Sequence, residues 1–313
     1  MQKIKAWLEE TPYRDYEITI VSADASFRQY FRLTKDNETV LLMDSSLEKE
    51  SLAPFIDVTS RLLNAEVKAP KILEKNLNDG FLIIEDFGNT HLLNILNANN
   101  FKELYAKAIN TIITMQNATT KDLPLYDKEF LHFEMDLMQD WYLEKKLNIT
   151  LSEKQKEIIK TSLNAISDVV LSQPQDVFVH RDYHSRNIML TQTDVIGIID
   201  YQDAMSGAIT YDLVSLLKDC YIEFKREDIE KIALEFRDKK GIATSDAEFL
   251  KWFDFIGLQR HIKVLGIFSR LHLRDGKDGY LKDIPLTLKY TIETASRYEE
   301  TKELSRLLQE VQS

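Results

Sequence analysis

The sequence predicts an α+β protein in two parts, and three observations lead there. Strand patterns crowd into residues 17–85, helical patterns dominate after Gly88, and a β-hairpin interrupts the helices at residues 177–200. Strands first and helices later is the order of an α+β chain. The boundary falls near residues 85–91, giving an N-terminal lobe at 1–88 and a helical C-terminal lobe at 89–313.

Ile4, Trp7 and Leu8 at helical spacing start the chain, and Pro12 closes that helix. Ile18–Val21, Gln29–Leu33 and Thr39–Met43 are β-rich runs separated by the polar stretches Ser22–Ser26 and Lys35–Glu38. Leu52, Phe55, Ile56, Thr59, Leu62 and Leu63 restore a helical period. Lys71–Glu74 and Phe81–Ile84 flank a turn and predict a further hairpin. Apolar stripes at Phe101–Ile112 and at Phe130, Phe133, Leu137, Trp141 and Tyr142, with residues 152–171, predict three helices. Further helices are expected at 211–224, 228–239, 246–273 and 285–310.

The chemistry gathers around the interrupting segment. The run Val177–Val179 ends in His180-Arg181-Asp182, Asn187 follows, and a second run, Val195–Ile199, ends in Asp200. Pairing Asn187 with Asp200 sets Ile188 opposite Ile199, Met189 opposite Ile198 and Leu190 opposite Gly197. The two oxygen-bearing side chains then finish side by side, with Asp182 just upstream. H-R-D-x-x-x-x-N followed by a metal-binding Asp is the layout of kinase phosphoryl transfer. On that template Asp182 is the catalytic base and Asn187 and Asp200 hold Mg²⁺, which prefers oxygen ligands completed by substrate phosphates.

His180 braces the loop on this reading. A competing one groups His180, Asp182 and His184 as an H-x-D-x-H metal cluster of a hydrolase, since alternate residues share a strand face. Arg181 and Arg186 either neutralise phosphate or pair with acids inside the loop, and the sequence leaves both open. Asp212 is expected to cap the helix at 211 or brace the loop.

The phosphate grip is unusual. The first glycine is Gly80, so the strand-rich lobe has no G-x-G-x-x-G loop, and no Walker motif occurs. Ser22, Ala23, Asp24 and Ser26 occupy the turn where a nucleotide-covering loop belongs. The third strand carries no lysine, leaving Arg28 and Arg32 as candidate cations. Glu85 to Phe87 joins the lobes, where backbone groups meet an adenine edge.

A net charge of −11 argues against nucleic-acid binding. The single cysteine, Cys220, excludes a disulfide framework. No signal peptide or apolar run of about 18 residues is evident, so a cytoplasmic protein without a membrane or obligate protein partner is expected.

The segment His180–Asn187 with Asp200 resembles the aminoglycoside phosphotransferase and choline kinase-like enzymes. The resemblance implies the two-lobed protein-kinase-like fold, with a small antiparallel-sheet N-lobe and a larger, mainly helical C-lobe. Ser22–Leu33, Phe81–Gly88, Asp140–Leu143, Asp200–Ala204 and Thr210–Leu217 extend the likeness to a bacterial subgroup, the anomeric sugar kinases of cell-wall recycling. These phosphorylate the C1 hydroxyl of N-acetylmuramate and N-acetylglucosamine with ATP. The resemblance implies ATP and Mg²⁺ as cofactors, Asp182 as base, and Asn187 and Asp200 as metal ligands. Glu134, Asp140, Gln202 and Asp203 are the expected sugar contacts, because acids and amides pair with hydroxyls and the acetamido group. Two departures matter. Arg181 and Ser185-Arg186 stand where many aminoglycoside kinases have Gly and Pro-Gly, and Met43 lies near the usual lysine position. A nucleotide-binding pseudokinase is the rival reading of a different class.

Overall fold

The computed structural model describes residues 1–23 and 28–311, with the backbone alone at positions 22 and 23. The chain opens with α1 (Gln2–Leu8) and then lays down β1 (Glu17–Ala23), β2 (Gln29–Lys35) and β3 (Glu38–Asp44). Next come α2 (Leu52–Asn64), β4 (Ile72–Asn76) and β5 (Phe81–Glu85). The strands form one antiparallel sheet in the order β1-β2-β3-β5-β4. Period-two alternation divides its side chains between two cores. Phe31, Leu33, Val40, Leu42, Phe81 and Ile83 pack with Ile4 and Leu8 of α1. Met43, Leu82 and Ile84 share the other core with Leu52, Phe55, Val58 and Leu62 of α2. β5 is buried on both faces, which is why Phe81–Ile84 reads as an unbroken apolar run.

The helical lobe contains α3 (Leu92–Ile95), α4 (Phe101–Met115), α5 (Lys128–Leu137) continued by a π-helical stretch (Met138–Lys146), and α6 (Glu153–Ser172). Four short strands follow: β6 (Val177–Val179), β7 (Ile188–Leu190), β8 (Ile196–Ile198) and β9 (Met205–Gly207). Then come α7 (Tyr211–Leu217), α8 (Arg226–Lys240), α9 (Asp246–Asp275), α10 (Ile284–Ala295) and α11 (Lys302–Glu310). α9 is buried on every side from Phe253 to Gly266 and packs against α5, α6, α7, α8 and α10, so it is the spine of the lobe. At Gly266 a β-carbon would lie 2.3 Å from the Leu137 backbone, so only glycine permits this crossing of α9 over the end of α5. No helix among the described residues is long and apolar enough to cross a membrane.

Several local expectations change. The segment 177–200 is not one hairpin: β6 pairs with β9, and β7 pairs with β8. The β7–β8 register is one residue shorter than predicted, with Ile188 opposite Ile198, Met189 opposite Gly197 and Leu190 opposite Ile196. The predicted register closes on a two-residue turn at Thr193-Asp194, and the favoured turns of that length need positive φ at the first residue. β-Branched Thr193 resists that conformation. The chain instead makes a three-residue loop in which Asp194 alone takes positive φ, at 60°.

The helix expected at 211–224 ends at Leu217, because Asp219 turns its carboxylate back to accept the Tyr221 amide. The helix expected at 285–310 is two. Thr301 Oγ1 caps the Ala295 carbonyl, and the reversal lets α11 bury Leu304, Leu307 and Leu308. Phe133 is exposed, whereas its neighbour Glu134 is buried.

Candidate active site

Between the sheet and the helices lies a cleft of about 750 Å³, large enough for a nucleotide and a small acceptor. Asp182, Asn187, Asp200, Gln202 and Asp203 line it, with Arg32, Glu85 and Phe87 from the sheet side. The loop carrying Asp182 is fixed by hydrogen bonds from several directions. The His180 and Arg181 amides donate to the two carboxylate oxygens of Asp212, at 2.8 and 3.1 Å. At the other end the Ser185 amide donates to Asp219 at 2.9 Å, and the Ser185 hydroxyl does the same. His180 Nε2 donates to the Ile199 carbonyl at 3.0 Å, while its Nδ1 accepts the Asp182 amide at 3.3 Å. Burial lowers the His180 pKa to about 4, so the imidazole is neutral and serves as a brace. Asp212 likewise braces the loop and makes no helix cap. Arg181 and Asp200 both have positive φ, at 77° and 65°, a strained conformation that this bonding holds in place.

The charge around Asp182 is strongly cationic. Burial raises its carboxyl pKa, but Lys263, His184, Arg260 and Arg181 together outweigh that and hold it well below the ordinary carboxylate value. Arg260 and Lys263 come from α9, three residues apart on one helix face. Arg260 also donates to the Arg181 carbonyl at 2.5 Å. Burial pushes Asp212 up to about 7 against the pull of its two amides and Arg260. Asp182 is thus an ionised but weak base, suited to orienting a hydroxyl and receiving its proton late in the transfer.

Asn187 donates its amide N–H groups to the Asp182 carbonyl at 3.1 Å and to Asp200 Oδ2 at 3.2 Å. The predicted neighbours therefore meet despite the shifted register. Their hard oxygen donors suit Mg²⁺ completed by phosphate oxygens. The His180-Asp182-His184 cluster does not form a comparable site. Both His180 nitrogens are committed, and the described residues contain no gathering of three His, Cys, Asp or Glu arranged for a metal.

On the sheet side, Val21, Leu41, Ile84 and Pro70 face Met189 and Ile199 across an apolar slot. The register of β1 shifts between Ile20 and Ser22, a bulge at the point where Val21 turns to the cleft. Phe87 seats against the bare backbone of Gly197, where a β-carbon would lie 2.6 Å from the ring. Ser22 and Ala23 end β1, while Asp24 and Ser26 lie outside the described residues. Arg32 does not stand ready for phosphate: it forms a fork with Asp86 at 2.6 and 3.0 Å and also binds the Gly88 carbonyl and Asn89. Arg28 is buried beside Ser51 at the start of α2. Met43 is fully buried in the core. Glu85 pairs with Lys68 at 2.5 Å.

The expected sugar contacts separate. Gln202 donates to Asp200 at 3.0 Å, and its own buried carbonyl oxygen has no protein partner. Asp203 is exposed at the cleft. Glu134 is not among the lining residues. Its carboxylate is buried and bound by Arg181 at 2.6 Å, Gln259 at 3.0 Å, Lys263 at 3.4 Å and the Tyr126 hydroxyl. Asp140 is exposed on the π-helical stretch, also away from the lining.

The pattern that defines the phosphotransferase enzyme family matches residues 17–244. The chain belongs to this family. An N-acetylmuramate/N-acetylglucosamine kinase of Neisseria meningitidis is 38% identical over 99% of this chain and 95% of its own. One of the same description from Pseudomonas aeruginosa is 36% identical, covering 97% and 90%. Among solved structures, an ADP-bound aminoglycoside phosphotransferase superposes with a TM-score of 0.65 at 16% identity, over 94% of this chain and 98% of that one. A choline/ethanolamine kinase family protein of Mesorhizobium loti gives 0.66 at 15% identity, over 99% and 98%. These establish the two-lobed kinase-like fold.

Within this phosphotransferase scaffold, sequence reasoning missed Asp219, Lys218, Arg260, Lys263 and Tyr221, all lining the cleft. A signal existed for two of them: Arg260 and Lys263 fall on the face of the mostly apolar stretch Phe253–Phe268. Asp219 gave none, because the sequence placed it inside a helix expected to run to residue 224.

Proposed function

We infer that this phosphotransferase uses ATP and Mg²⁺ to phosphorylate the C1 hydroxyl of N-acetylmuramate and N-acetylglucosamine, a step that recovers cell-wall sugars. The observation that carries this reading is the match, over nearly the whole chain, to kinases named for these two sugars. The cleft supports it. Adenine fits the slot between Val21 and Leu41 above and Met189 and Ile199 below, with its polar edge toward the backbone of residues 85–87.

Asn187 and Asp200 would hold the Mg²⁺, which when bound neutralises phosphate charge and aligns the γ-phosphoryl group. Asp182 orients the acceptor hydroxyl. An anomeric hydroxyl is more acidic than an ordinary alcohol because the ring oxygen withdraws charge, so a weak base suffices. The proton passes to the Asp182 carboxylate as the new P–O bond forms and the bond to ADP breaks. Gln202 and Asp203 are the sugar contacts the geometry favours, and Glu134 acts through Arg181. Choline and aminoglycosides are cations, and Arg186, the cation left most exposed on the acceptor side, opposes them.

The test is turnover with ATP and Mg²⁺ against N-acetylmuramate, N-acetylglucosamine, choline and an aminoglycoside, with the product examined by phosphorus NMR. A phosphate coupled to the C1 proton of either sugar is expected. ADP release with choline or the aminoglycoside alone would refute the reading.

A further inference from the structure

We propose that Arg186 is the specificity-determining residue that receives the lactyl carboxylate of N-acetylmuramate, which rests on the sugar-kinase reading above. The two sugars differ at C3, where N-acetylmuramate carries a lactyl ether ending in a carboxylate and N-acetylglucosamine carries a hydroxyl. A site that treats them differently needs a cation away from the C1 hydroxyl, on the acceptor side, with hydrogen-bond donors still open.

Five cations line that side, and four are committed or sealed, Arg181 by its ion pair with Glu134 at 2.6 Å. Arg260 donates to the Arg181 carbonyl and is 6% exposed. Lys263 is 3% exposed and bonded to Glu134 and the Tyr211 hydroxyl. Lys218 lies over the Tyr290 ring at 4.4 Å and is 8% exposed. Arg186 differs. Its side chain is 33% exposed, and its ion pair is one contact of 3.5 Å to Asp283 Oδ2.

The guanidinium is nevertheless held in place. It lies 3.5 Å from the centre of the Tyr221 ring, and that ring meets His184 edge-on. The Tyr221 amide is fixed to Asp219 at 2.9 Å, and the Arg186 carbonyl accepts His91 Nδ1 at 2.7 Å. A planar fork of five donors, stacked on an aromatic face with most donors uncommitted, matches a carboxylate bidentately. Arg186 lines the same cleft as Asp182 and Asn187, with its guanidinium held at Tyr221 and Asp283, so a carboxylate bound there stays clear of Asp182.

The test compares N-acetylmuramate, its uncharged carboxamide analogue and N-acetylglucosamine in the wild type, Arg186→Gln and Arg186→Lys. The wild type is expected to prefer the acid over the amide by at least ten-fold in kcat/KM. Arg186→Gln should collapse that ratio to near one, mainly through KM for the acid. Arg186→Lys, which keeps the charge but loses the fork, should give an intermediate ratio and carries the test alone if the Gln variant does not fold. Equal losses on acid and amide, or an unchanged ratio in either variant, would overturn the assignment. A wild type that turns over N-acetylglucosamine but does not distinguish acid from amide refutes this inference and leaves the kinase reading standing. A wild type inactive on all three sugars refutes both.

Discussion

On the proposed nucleotide side of the cleft the walls are Val21, Leu41, Ile84, Met189 and Ile199, and Arg32 there is locked to the hinge by Asp86. On the proposed acceptor side Arg181, Arg186, Lys218, Arg260 and Lys263 surround Asp182, whose loop is bonded at its two ends to Asp212 and Asp219. One side is an apolar slot; the other carries fixed charge. An adenine ring needs a flat slot that two lobes can supply between them. A developing charge at a transferring phosphoryl group needs dipoles and charges already in place, because reorienting them during reaction costs free energy. The buried carboxylates Asp212 and Asp219 hold that side rigid, and α9 carries its cations.

The largest expected effect comes from removing a metal ligand. Asp200→Asn should lower kcat by roughly 10³-fold or more and weaken the response to added Mg²⁺, measured by coupled ADP assay across a Mg²⁺ titration. A Mg²⁺ response identical to wild type would break the assignment.

Asp212→Ala comes next. It strips the acceptor from the His180 and Arg181 amides, so about 3 kcal/mol of stability should be lost. With the loop released, kcat should fall by roughly ten- to a hundred-fold. Denaturant unfolding and turnover check the two together. A stability loss without a kinetic one would mean the brace does not set the loop.

On the nucleotide side, Arg32→Ala should act mainly through KM for ATP, by about ten-fold, because it frees the hinge while leaving the acceptor loop alone. A change confined to the sugar KM would invert the comparison of the two halves.

The smallest effect at neutral pH concerns the buried imidazoles. Burial lowers His180 to about 4 and His261 to about 3. Unfolded histidines bind protons near pH 6.5, so between that value and the folded pKa the unfolded state holds more protons. The contribution of these two histidines is therefore fully present above pH 6.5 and declines as the pH falls toward 4, by about 1.4 kcal/mol per unit for each histidine. His261→Gln should flatten that decline while changing stability little at pH 8. Thermal melts from pH 8 to pH 4.5 decide it.

Much of this was legible in residue order. The β-rich runs Thr39–Met43 and Phe81–Ile84 set out the sheet, and the spacing from Asp182 to Asn187 to Asp200 picked out residues that the fold gathers in one cleft, because short-range pattern dictates both. The exact hairpin register was not, since one loop residue, Asp194, accepting positive φ shifts every pairing. The partner of Val177–Val179 was hidden for another reason: β9 is three residues long and contains Gly207, too short to show a period. Glu134 and Asp140 looked alike as acids beside aromatics. Only the packing of α5 against α9 buries one among Arg181, Gln259 and Lys263 and leaves the other in solvent. Long-range assembly likewise brings α9 to Asp182, from some eighty residues downstream.

The most direct test of the whole account is Asp182→Asn, assayed with N-acetylmuramate beside a titration of ATP binding to the same variant. Its prediction is a fall in kcat of about 10²- to 10⁴-fold with ATP affinity within about two-fold of wild type. Turnover within ten-fold of wild type, or a loss traced wholly to ATP binding, would contradict Asp182 as the group that orients and deprotonates the sugar hydroxyl.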